Sequence, residues 1–166
     1  MNRKLIIILL AILALLLVVG CNTDESSQDV EAETTSKDVL YKNATYDIVV
    51  EKNDDWELKS DANTDNLNVI LRNGKSQAII SSVSSDRKFA AVKKELKAST
   101  KNIKIISEDN NRLSYQSTLE DAILTDVYFK EHNSSINLII IFMSPESAYE
   151  QAKPSVKSLL KHIKQL

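Results

Sequence analysis

Between Ile103 and Met143 four runs with strand character follow one another: Ile103–Ser107, Arg112–Leu119, Ala122–Glu131 and Ile136–Met143, separated by only two to four turn-forming residues. Links that short cannot carry a chain back across a sheet, so each run must lie antiparallel beside the next. The centre of the protein is therefore a β-meander. Its last run, INLIIIFM, is apolar on both faces, which predicts a central strand covered by helix on at least one side.

Alternation also marks the stretch before the meander. Tyr46, Ile48 and Val50 share one face of an opening strand, a polar turn follows at Asn53-Asp54-Asp55, and Trp56 reads as a core plug at a strand end. Leu67, Val69 and Leu71 alternate ahead of Asn73-Gly74, and Ala78 and Ile80 after it. Asn-Gly between two such runs predicts a hairpin with a type I′ turn. Phe89, Val92 and Leu96 then recur at helical spacing, predicting a helix to about Ser99, capped by Ser85 or Asp86. At the end of the chain, Ser144 as cap and Pro145 at the first position predict a second helix. Pro154 is expected to break and restart it, with Val156, Leu159, Leu160 and Ile163 as its apolar stripe. Two or three strands, a helix, four strands and a closing helix define an α+β fold: an antiparallel sheet, meander plus Asn-Gly hairpin, with helices packed on it.

The first 21 residues are of another kind. Arg3 and Lys4 precede an unbroken apolar stretch from Leu5 to Val19, and small Gly20 leads to Cys21. This is the layout of a secretory signal. Its 15 apolar residues fall short of the about 20 that cross a bilayer. Val18-Val19-Gly20-Cys21 resembles the lipobox of bacterial lipoproteins. That resemblance implies lipidation of the Cys21 thiol and cleavage between Gly20 and Cys21, placing the mature protein on the outer face of the cell membrane. Cys21 is the only cysteine, so no internal disulfide is open to the exported chain, and acylation removes a reactive thiol. Two or three acyl chains on one residue hold a protein firmly, at about 0.8 kcal/mol per buried methylene.

From Asn22 to Leu40 six acids face one base, with Ser and Thr between them and no aromatic residue. Such a stretch buries too little apolar surface to offset its ordering entropy. Residues 21–40 are thus expected to be an acylated tether reaching roughly 25 Å. Residues 41–166 are expected to form a single domain. There 18 bases nearly balance 17 acids, which does not indicate nucleic acid as a partner. One glycine, Gly74, remains beyond the signal, which excludes a glycine-rich phosphate loop.

Catalytic constellations are missing from the sequence. The two histidines are isolated: His132 is expected in an exposed hairpin tip, and His162 in the last turn of the closing helix, where a cation gains from the helix dipole. With no cluster of His or Cys there is no set of ligands for a borderline metal, and no cofactor is expected. Asp54, Asp55, Asp61 and Asp65 fall close together but lack the loop spacing and glycine of a Ca²⁺ site. The densest basic cluster is Arg87, Lys88, Lys93, Lys94, Lys97, Lys101 and Lys104, and Lys88, Lys93, Lys94 and Lys97 in it are candidate contacts for anionic headgroups or cell-envelope polymers.

The segments YDIVVEKNDDWEL, FAAVKKELKAS, RLSYQSTLEDAILTDVYFKEHNSSINLIIIFM and SPESAYEQAKPSVKSLLKHIK, in this order, resemble the PsbP-like fold over about residues 45–166. That resemblance implies a docking or assembly module, not an enzyme, and carries no catalytic residue. The expectation is a lipid-anchored module with a protein partner. A small ligand held in a cavity between sheet and helix is the alternative.

Overall fold

A computed structural model describes residues 38–53 and 55–166. The signal, Gly20, Cys21, Asp54 and most of the tether lie outside the described residues. Among the described residues, ten strands and two helices occur in the order β1 (Val39–Asn43), β2 (Ile48–Glu51), β3 (Glu57–Asn63), β4 (Leu67–Asn73), β5 (Ser76–Ser84), α1 (Phe89–Ser99), β6 (Ile103–Glu108), β7 (Arg112–Ser117), β8 (Ile123–Glu131), β9 (Ile136–Pro145), α2 (Glu146–His162) and β10 (Ile163–Gln165). The main sheet is antiparallel throughout, in the order β3-β4-β5-β9-β8-β7-β6. The meander β6 to β9 is present as expected, and the β4–β5 hairpin joins it where β5 pairs with β9. A second, small sheet has the order β1-β2-β10.

Strand β9 is central, and its alternate residues feed two cores. Leu138, Ile140 and Phe142 join Leu67, Val69, Leu71, Ala78 and Ile80 on the face that carries Leu159 of α2 and Ile48, Val50 and Ile163 of the small sheet. Ile139 joins Leu113 and Val127 on the opposite face, beneath Phe89 and Val92 of α1. The run INLIIIFM is apolar on both sides because a helix lies on each.

Several local expectations are corrected. Strand β1 starts at Val39, where Val39 and Tyr41 pair with Glu51 and Val50. Five strands precede α1. Two of them, β1 and β3, were unforeseen; β3 is exposed along its whole length, so it has no apolar alternation to reveal it, and it is a charged edge strand. The hairpin loop is Gly74-Lys75, since Asn73 and Ser76 still pair, and only Gly74 takes positive φ (55°). That is the pattern of a II′ turn, not I′.

Neither helix uses its predicted cap. Lys88 occupies the N-cap of α1 without a side-chain hydrogen bond, because the Ser85 hydroxyl donates to the Ser134 carbonyl. Ser144 is buried in β9, where its hydroxyl accepts from Ser76, and Pro145 becomes the N-cap of α2. Pro154 does not interrupt α2. Next to it, the Ser155 carbonyl accepts from Trp56 Nε1 (3.2 Å) and the Ser155 hydroxyl from Asn73 (2.6 Å), while Asn53 donates to Ser158 Oγ (2.9 Å). These tertiary bonds hold the helix through a residue that by itself disfavours it by about 3 kcal/mol. Ile163 is buried as predicted but extended, pairing with Val50 as the start of β10.

Candidate functional site: a cleft beneath the closing helix

Residues 146–154 of α2 include no buried residue, whereas Ser155 and Leu159 further along are buried. The first half of the helix therefore stands off the sheet. Beneath α2 between Tyr149 and Leu160, and over β7, β8 and β9, opens a cleft of about 450 Å³. Leu124, Phe142, Val156 and Leu160 give it apolar walls, and Arg112, Asp126 and Tyr149 form its polar side.

Strand alternation places these groups. Asp126 pairs with Ser114 and Phe142, and Tyr128 with Arg112 and Ile140, so Asp126 and Tyr128 face α2 while Val127 faces α1. Asp126 is 4 % exposed, and a carboxylate that deep must be compensated. Arg112 Nη2 donates to its Oδ1 at 2.9 Å, the Ser114 hydroxyl donates to the same oxygen, and the Tyr149 hydroxyl donates to Oδ2 at 2.8 Å. The guanidinium also lies 5.5 Å from the Tyr128 ring centroid. Tyr149 thus acts as a strut between helix and sheet. Burial, together with the hydrogen bond to Asp126 and that carboxylate's charge, pushes its hydroxyl up to about 12. It stays protonated, and so a donor, through the neutral range.

A second hollow of about 590 Å³ borders the first half of α2, with Asp55, Asn73, Ser147, Gln151 and Ser155 giving it a polar lining.

The basic cluster expected on α1 is divided. Lys93 pairs with Glu108 (3.1 Å), donates to the Asp109 carbonyl (2.7 Å) and lies over the Phe89 ring; Lys97 also pairs with Glu108. Lys88 and Lys94 are exposed and form no ion pair among the described residues. His132 is not in a free tip. Its Nε2 is 2.8 Å from the Asp47 carbonyl and 3.2 Å from that of Tyr46, so it carries a proton and ties the β1–β2 turn to the end of the β8–β9 hairpin. His162 meets the expectation for a helix end: its Nδ1 lies 2.8 Å from the Ser158 carbonyl. Neither histidine lines the cleft.

Sequence reasoning missed Arg112, Asp126 and Tyr149. One signal was available: in ILTDVYF an aspartate interrupts an apolar strand interior, where a charge persists only if paired.

No protein-family profile and no curated protein matches the chain. Among solved structures, the domain is similar to the cyanobacterial PsbP protein CyanoP from Synechocystis sp. PCC 6803. The TM-score is 0.51 at 12 % identity, over 83 % of this chain and 98 % of that one. A Bacteroides thetaiotaomicron protein also matches, with TM-score 0.45 and 13 % identity over 78 % of this chain; the match spans about half (48 %) of that protein. The fold is α+β and PsbP-like.

Proposed function

We propose that this chain is a bacterial lipoprotein whose domain is a non-enzymatic binding module, with the cleft beneath α2 as its recognition site for a small ligand. Residues 1–20 serve as export signal, Cys21 carries the lipid, and the acidic segment to residue 40 spaces the domain from the outer face of the cytoplasmic membrane. The order Val18-Val19-Gly20-Cys21 after a short apolar run supports the anchor. The observation that carries the ligand reading is the cleft: about 450 Å³, apolar walls, one hydrogen-bonded polar side, within the size range of small-molecule sites. The polar side favours binding over reaction. Asp126 already accepts from three donors, Ser114 is 1 % exposed, and Tyr149 holds its proton.

The anchor is tested by Cys21→Ser in growing cells supplied with labelled palmitate. Loss of label and accumulation of uncleaved precursor are expected; a trimmed, unlabelled protein that still sediments with membranes refutes it. The ligand site is tested by native mass spectrometry of the full chain released from its membrane. A bound small molecule that disappears with Ala152→Phe supports the cleft.

A protein partner is the second reading, and a specific observation favours it. Edge strand β6 has one unpaired backbone side and exposes Ile105 (39 %) and Ile106 (50 %), with Leu119 (62 %) after the neighbouring strand β7. Photo-cross-linking from position 106 in intact cells separates the two: a defined protein adduct favours the edge, and none favours the cleft.

A further inference from the structure

We infer that the cleft beneath α2 takes a single-chain amphipath bearing one negative charge, such as a medium-chain carboxylate. This rests on the reading of that cleft as a ligand site and adds the chemistry of the occupant. The apolar body is defined by Leu124, Phe142, Val156 and Leu160, which give a hydrocarbon chain a wall on both the sheet and the helix side.

The head group follows from the charges. Three bases line the cleft: Arg112, Lys153 and Lys157. Arg112 is balanced by Asp126 and Lys153 by Glu150 at 2.6 Å, whereas Lys157 forms no ion pair among the described residues. One net positive charge is left at the mouth, which matches a monoanion. A cationic ligand finds no free carboxylate, because both oxygens of Asp126 already accept from Arg112, Ser114 and Tyr149. The guanidinium keeps donor capacity as well. Its side chain is 34 % exposed, and its Nε is the one buried side-chain nitrogen or oxygen without a partner among the described residues. A carboxylate at the mouth takes up the free charge of Lys157, and the exposed part of the Arg112 guanidinium offers it further N–H donors.

The test uses the full chain in phosphatidylcholine nanodiscs, titrated calorimetrically with decanoate, decanol, decylammonium and decyl phosphate, with empty discs subtracted. Decanoate is expected to bind one to one and at least about fivefold tighter than decanol or decylammonium. Lys157→Gln, an exposed change that leaves the fold alone, is expected to weaken decanoate about threefold without affecting decanol. Decanol or decylammonium binding as tightly as decanoate overturns the anion inference and leaves the ligand cleft standing. Tighter binding of decyl phosphate overturns the single-charge assignment. If no probe binds, or if binding survives Ala152→Phe, the cleft reading falls too; should that variant fail to fold, the Lys157→Gln comparison decides the anion question.

Discussion

The two halves of α2 are built on different principles. Residues 155–162 are fixed to the protein: Leu159 is fully buried, and Trp56, Asn73 and Asn53 reach the helix at Ser155 and Ser158. Residues 146–154 include no fully buried residue, and Tyr149 reaches from them to Asp126. A helix packed evenly along its length would leave no cleft. Dense packing at one end and a polar strut at the other produce a wall rigid enough to shape a site and open enough to admit a ligand.

The division has energetic consequences that differ in size. Leu159→Ala should cost about 3 kcal/mol in chemical denaturation, as core truncations do, whereas Ala152→Gly should cost about 1 kcal/mol from helix propensity alone. Equal costs would mean that the helix behaves as one packed body. Pro154→Ala, at the junction, should raise stability by about 1–2 kcal/mol, because the bonds from Trp56 and Asn73 stay while an interior proline is removed. A loss of stability there would show that the proline sets the angle at which the first half stands off the sheet.

Tyr149→Phe should cost about 1 kcal/mol near neutral pH, the worth of one hydrogen bond to a charged acceptor at a half-exposed position. Its contribution depends on pH. The folded hydroxyl titrates at about 12 against about 10 in the unfolded chain, so the unfolded state loses this proton first. The contribution is complete below about pH 10 and declines as pH rises toward 12. The wild-type chain should therefore lose more stability over that interval than Tyr149→Phe, in paired denaturation curves. Parallel curves would mean that Tyr149 does not bridge to Asp126 in solution. The smallest effect is expected in hydrogen exchange, where amides of residues 150–153 should exchange before those of 157–161, as the less anchored half opens first.

The meander was legible because short polar links separate runs that alternate, and a two-residue to four-residue link admits only an antiparallel return. The doubly apolar β9 and the core role of Trp56 were legible for a related reason: each is a local composition that fits one environment. The edge strand β3 was not, since its residues face solvent and carry no periodic signal. The caps failed at both helices because Ser85 and Ser144 have partners far along the chain, Ser134 and Ser76. The same holds for the cleft. Arg112, Asp126 and Tyr149 lie on two strands and a helix, and no spacing along the chain announces that they meet.

Order, pairing direction and the inward faces of the main strands were written into the chain, since periodicity and link length act over a few residues and need no distant partner. The path of α2 through Pro154, the turn geometry at Gly74 and the cleft beneath α2 arose at the level of packing. Each depends on side chains that are remote in sequence and adjacent in space, and their energies, a hydrogen bond here and a buried pair there, outweigh local preference at those positions.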